Sequence, residues 1–225
     1  MSQTTAEQRR EELVRLYHEV RDCHRCPLGA VRTNPVFGMG NADADLMFIG
    51  EAPGAEEDRQ GKPFVGRAGK LLDELLAEIG MDRRRDTFIA NVLKSRPPGN
   101  RDPQPEEIEA CKPYLTRQIQ LIEPKVICTL GNFATKLITE SPTGITRCCG
   151  KPQARVVADL PVTIYPLFHP AAALRTPSVL ARLREDFHRI PDLLGEQESR
   201  DEASDLSLAG ATVPAGPSQL DLFGG

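Results

Sequence analysis

Leu46-Met47-Phe48-Ile49-Gly50-Glu51-Ala52-Pro53-Gly54 passes from four apolar residues straight into a Gly-Glu-Ala-Pro-Gly turn. That pattern is a buried strand opening into a tight loop. In an open α/β sheet, ligands sit outside the carboxyl ends of the strands. Glu51 would then stand at the mouth of a cleft, its loop shaped by Gly50, Pro53 and Gly54. An ordinary strand-to-loop turn accounts for these residues equally well, so the remaining chain has to decide.

Outward from this stretch, further apolar runs alternate with helical stripes. Thr87-Phe88-Ile89-Ala90-Asn91, Lys125–Gly131 and Pro161–Phe168 are predicted strands. Helices are predicted over residues 6–22, with Leu13, Leu16, Tyr17 and Val20 on one stripe, and over Leu71–Ile79, ended by Gly80. Two more start at Pro105 and Pro177, and Pro113 is expected to kink or restart the first of them. The alternation gives an α/β fold. We expect a single three-layer domain over residues 1–195, with a central, mostly parallel four-stranded sheet flanked by helices. Residues 196–225, acidic and rich in Ser, Ala and Gly, are expected to form a disordered C-terminal tail.

No apolar run is long enough to span a bilayer, and no signal-peptide core opens the chain, so a cytoplasmic, non-membrane protein is expected. In that reducing compartment six cysteines are ligands or buried thiols sooner than disulfides. The net charge of −4 disfavours a nucleic-acid partner until its distribution is considered. Residues 196–225 hold six acids and one Arg, a net of −5, which leaves residues 1–195 at about +1. A near-neutral body can carry a local basic face.

Cys23-His24-Arg25-Cys26-Pro27 is a two-thiol knuckle. With Cys111 and Cys128 it gives Cys-x2-Cys, 84 intervening residues, then Cys-x16-Cys. Four such thiolates fit either zinc or a [4Fe–4S] cluster. Cys148 and Cys149 are adjacent, a poor geometry for chelating one metal, and are read as non-ligands. Phe64 stands alone in a glycine-rich loop, where spacing favours a core plug over a ring that stacks on a flat ligand. Gly66 and Gly69 beside it let backbone approach something closely. Asn91 ends its strand as a turn former or as an amide able to read a base edge. Lys94, Arg96 and Arg101 lie in a stiff proline-rich loop suited to phosphates or simply solvated. His169, followed by Pro170, ends the last strand either as a structural histidine or as a hydrogen-bond donor to developing negative charge. Gln219-Leu220-Asp221-Leu222-Phe223 puts apolar residues at the tip of a polar tail, as in a peptide that docks in a partner's groove.

GEAPG (50–54), GKPFVGRAG (61–69), NVLKSRPPGNRDP (91–103), the cysteine quartet and HPAAALR (169–175) occur in this order. Together they resemble the family 4, iron–sulfur branch of the uracil-DNA glycosylases, over about Cys23 to Leu194. The resemblance implies an enzyme that flips uracil out of DNA and hydrolyses its N-glycosidic bond. Cys23, Cys26, Cys111 and Cys128 would ligate a structural [4Fe–4S] cluster. Glu51 and His169 would be catalytic, His169 facing uracil O2. Gly50, Ala52, Phe64 and Asn91 would bind the base, Phe64 by stacking and Asn91 at its edge. Lys94, Arg96, Arg101, Leu174 and Arg175 would meet DNA, with Leu174 and Arg175 on the loop that enters the duplex.

This chain departs from the resemblance in two places. Ser95 stands where many relatives carry a cysteine, though counting Cys128 keeps four thiols. Ala52 stands where the best-known branch places a catalytic Asp, which leaves Glu51 as the nearest candidate to activate water. A suicide branch couples to DNA through a histidine in the loop after Asn91. Residues 92–110 contain none, so turnover is expected. The QLDLF peptide resembles the one by which bacterial repair proteins bind the DNA sliding clamp, through Gln219, Leu220, Leu222 and Phe223. A monomer is expected. Two rival classes remain: a non-catalytic iron–sulfur or zinc DNA adaptor tethered to the clamp, and an electron-transfer protein.

Overall fold

The computed structural model describes residues 5–196. The tail from 197 onward and its QLDLF peptide lie outside the described residues. In order, the chain forms α1 (Ala6–Arg21), α2 (Leu28–Val31), β1 (Met39–Gly40), β2 (Leu46–Gly50), α3 (Ala55–Gln60), α4 (Arg67–Glu78), β3 (Thr87–Asn91) and α5 (Pro105–Ile122). It continues with β4 (Val126–Leu130), α6 (Asn132–Thr139), α7 (Ile145–Cys148), β5 (Gln153–Val157), β6 (Leu160–Leu167), α8 (Pro170–Ala173) and α9 (Pro177–His188).

Every residue of β2, β3 and β4 is buried, the signature of strands covered on both faces. They pair in parallel with one another and with β6, in the order β3-β2-β4-β6. This is the predicted four-stranded centre. The sheet has six strands, however, because β1 and β5 add antiparallel edges. Both edges escape the apolar pattern: β1 has two residues, and β5 is largely exposed. The β5–β6 hairpin turns on Ala158 and Asp159, both at positive φ, rather than on an Asn-Gly or Asp-Gly pair.

Side chains alternate between two cores. Met47, Ile49 and Ile127 face α1 and α5, packing against Leu13, Val20, Leu115 and Ile119. Phe48, Val126 and Cys128 face the other way, toward Leu72, Leu75, Leu183 and Phe187 of α4 and α9. The three layers follow. Pro113 does not break α5. It and Glu109, whose carbonyl loses its partner, are exposed, so solvent takes the orphaned acceptor. The last predicted helix, expected to run from Pro177 to Leu194, ends at His188, and helical residues resume at 190–196.

Candidate active site

β2 lies between β3 and β4, so the chain runs from it to β3 on one side and then crosses back to β4 on the other. Ligands bind at such a switch point, beyond the carboxyl ends of the strands. There a cleft of about 410 Å³ is lined by Glu51 and Ala52 after β2, Asn91 at the end of β3, and His169 after β6, with Phe64 and Arg101. Residues spread over more than a hundred positions of sequence thus meet around one space. Gly50 packs against two of these side chains: it pairs with Asn91 in register, and a Cβ on it would lie 2.4 Å from Asn91 Oδ1 and 2.8 Å from Phe64 Cζ.

Phe64 is both plug and wall. It is 6% exposed at φ 52°, and its ring lies 5.7 Å from that of His169 at an interplanar angle of 24°. Arg83 pins the loop by donating from Nη1 to the Phe64 carbonyl and from Nη2 to the Pro63 carbonyl, each at 2.9 Å. Gly69 is required there, since a Cβ would fall 1.7 Å from the Phe64 carbonyl oxygen. Glu57 closes the loop from the other side, accepting from the amides of Val65 (2.9 Å) and Gly66 (3.1 Å).

His169 Nδ1 accepts from the Ala171 amide at 3.1 Å. A neutral imidazole that accepts at Nδ1 carries its proton on Nε2. Burial pushes its pKa down to about 4, against a smaller opposing effect of Glu57. The ring is therefore a neutral donor near pH 7. Glu51 is shifted the other way, above its ordinary value, by burial first and by the charge of Asp102 second.

Lys94 is a correction. Its side chain is fully buried, and Nζ donates to the Asn91 carbonyl (2.7 Å) and to Gln118 Oε1 (2.6 Å). Burial lowers its pKa to about 7. It supports Asn91 from beneath and does not reach a phosphate. Gln118 in turn donates to the Phe37 carbonyl at 2.9 Å. Arg101 lines the cleft, but both its terminal nitrogens are committed to Glu107, at 2.9 and 2.5 Å. Arg96 donates to Asn100 Oδ1 at 2.7 Å. Leu174, at 39%, and Arg175 are exposed just after α8, whose Ala171 lines the cleft.

The cysteines do not form the expected quartet. Cys128 sits in the middle of β4, fully buried on the α4/α9 face, where burial raises its thiol pKa steeply. Cys23, Cys26 and Cys111 lie on the opposite face and line one small cavity together with Ser95. Strand parity separates them: Cys128 lies across the sheet from the other three. Cys149 also stands apart, bonded to Asp186 at 3.4 Å. Among the described residues, no three His, Cys, Asp or Glu side chains converge closely enough to hold a single metal ion. By its donor chemistry, three thiols and a hydroxyl, this small cavity nonetheless fits a sulfur-ligated group. Gly29 lines it where a Cβ would meet the Cys23 carbonyl at 2.5 Å, and the Lys94 amide points at Cys111 Sγ from 3.5 Å.

Sequence reading missed Glu57, Arg83 and Gln118. Glu57 and Arg83 sit in ordinary charged stretches and give no signal. Gln118 does, as a polar residue on the apolar stripe of α5 between Leu115 and Ile122.

The model of the uracil DNA glycosylase superfamily matches residues 37–190. The chain belongs to that superfamily. It is 46% identical over 187 residues to a type-4 uracil-DNA glycosylase of Sulfurisphaera tokodaii, covering 81% of this chain and 85% of the relative. Identity to the type-4 enzyme of Archaeoglobus fulgidus is 45% over 192 residues, covering 84% and 96% of the two chains. For that of Thermotoga maritima it is 47% over 171 residues, covering 75% and 87%. The superfamily match spans all three strand ends that build the cleft, from Glu51 to His169.

Proposed function

We propose that this protein removes uracil from DNA by hydrolysing its N-glycosidic bond, as a DNA-repair hydrolase. The observation that carries the reading is the convergence of Glu51, Phe64, Asn91 and His169 on one cleft. A base inside a duplex is out of reach, so the nucleotide must first swing out, at a cost of a few kcal/mol. Phosphate contacts by Arg96 and the 170–175 loop, with Leu174 and Arg175 entering the duplex, offset that cost.

Phe64 offers a face on which the flat ring stacks, and Asn91 offers one donor and one acceptor to the edge carrying O4 and N3–H. Cytosine inverts both groups at that edge, which is the basis of selection. As the bond from C1′ to N1 breaks, its electron pair leaves with the base and the sugar becomes cation-like. Negative charge collects on uracil O2, where a neutral Nε2–H from His169 and backbone amides near Ala52 stabilise it. Water adds its oxygen to C1′. Glu51, whose raised pKa suits a base, accepts the water proton and returns it to the departing uracil.

Cys23, Cys26 and Cys111 are proposed to hold a [4Fe–4S] cluster. Its part is to tie the knuckle after α1 to α5, with no part in bond breaking. The QLDLF segment, through Gln219, Leu220, Leu222 and Phe223, is proposed to dock on a bacterial sliding clamp, in a monomeric cytoplasmic enzyme.

Single- and double-stranded oligonucleotides bearing one uracil test the central reading. Release of free uracil with an abasic product is expected from at least one of them. DNA binding without release would favour the adaptor.

A further inference from the structure

We propose that the fourth ligand of the thiol site is the hydroxyl of Ser95, and that Cys128 takes no part. The proposal rests on the iron–sulfur reading above. Ser95 is 4% exposed and lines the cavity with Cys23, Cys26 and Cys111. A buried hydroxyl beside three thiols has the reach of a ligand; Cys128, across the sheet, does not. A serine ligates as an alkoxide, which needs a charge partner in a buried site. One is in place: Arg32 Nη1 donates to Ser95 Oγ at 3.1 Å. The same guanidinium donates from Nη2 to the carbonyls of Val20 (3.0 Å), Arg21 (2.7 Å) and Cys23 (3.1 Å). Arg32 therefore holds the cysteine knuckle and the serine in one arrangement.

The chemistry differs from that of four thiolates. One iron of the cluster would be bound by oxygen and held less firmly against oxidation. A one-electron oxidant such as ferricyanide would then take one electron from [4Fe–4S]2+ as one Fe2+ departs, leaving [3Fe–4S]+ on the three cysteines. Ser95 sets how readily that happens.

The test uses full-length protein purified without oxygen, with iron and sulfide measured per chain and the spectrum recorded by absorbance and electron paramagnetic resonance. The variants are Ser95→Ala, Ser95→Cys, Cys111→Ala, Cys128→Ala and, to keep the core filled, Cys128→Val. Both Cys128 variants are expected to keep the wild-type iron content and spectrum, while Cys111→Ala loses them. Ser95→Ala should lose one iron per chain at lower ferricyanide than wild type and show the three-iron resonance, and Ser95→Cys should resist the oxidant. Iron lost with Cys128→Val as fully as with Cys111→Ala overturns the proposal. So does an oxidant response unchanged by both Ser95 substitutions. Wild-type protein free of iron and sulfide removes the iron–sulfur reading itself, a separate result.

Discussion

Gly50→Ala is the sharpest perturbation of the cleft, because it adds one methyl where Asn91 and Phe64, the two groups proposed to read the base, meet. The new Cβ would stand 2.4 Å from Asn91 Oδ1 and 2.8 Å from Phe64 Cζ. Comfortable carbon contact begins near ~3.5 Å, so these groups must retreat by about 1 Å between them and the methyl. Neither moves freely: Asn91 is 2% exposed over the buried Lys94, and the Phe64 loop is clamped by Arg83. A misplacement of about 1 Å at a reacting centre costs roughly 10²-fold, or ~2.7 kcal/mol of barrier. Overpacking also costs about 1–3 kcal/mol of stability, and for a domain of this size each kcal/mol lowers Tm by roughly 2–4 °C. Single-turnover uracil release should therefore slow about a hundredfold at a temperature where the variant is fully folded. Gly66→Ala is the control, because its Cβ would meet only Glu57 Oε1, at an ordinary 3.5 Å. Wild-type release by Gly50→Ala would refute the tight apposition of Asn91 and Phe64 over the base.

His169→Ala should slow base release by roughly 10²–10³-fold, the usual effect of losing one donor to a developing oxyanion; an undiminished single-turnover rate would remove His169 from the chemistry. The pH profile separates the two titrating groups. His169 is depressed from 6.5 to about 4, so it stays neutral as the pH falls from neutrality and loses its role only near 4. Glu51 is raised, so it protonates first and sets the acid limb. Glu51→Gln should then be slow but flat until about pH 4, and a full acid limb persisting in that variant would exclude Glu51 as the base. Lys94→Met should leave the salt dependence of DNA binding unchanged. It should lower stability by about 1–3 kcal/mol, because Gln118 Oε1 loses its donor. Arg175→Ala, by contrast, should reduce the salt slope by about 1. A reduced slope for Lys94→Met in equilibrium titrations would return it to the phosphate face.

Much of the site was legible because strand ends announce themselves. An apolar run that stops at Gly-Glu or at Asn, or that precedes His-Pro, locates its last residue on the ligand side of a parallel sheet whatever the order of strands. What stayed hidden depends on direction, not on position. Cys128 has a spacing as good as that of Cys111, but in a strand covered on both faces apolar residues continue in either direction and give no parity. Only the pairing of Cys128 with Phe48 and Tyr165, and its packing against α4 and α9, shows that it points away from the knuckle. Lys94 was misread for a similar reason. A cation among prolines and arginines has the composition of a phosphate loop, and nothing local reveals that it turns inward.

Lys94 and Ser95 are neighbours, and their placements answer one structural demand. The chain leaving Asn91 must support the amide proposed to read the base, and must then pass the face where the three thiols gather. Lys94 serves both ends: Nζ holds the Asn91 carbonyl, and its own amide points at Cys111 Sγ. Ser95 then turns its hydroxyl to Arg32, which grips the knuckle behind α1. The thiol site and the cleft are thus joined by a few covalent bonds of a single buried segment, residues 91–95.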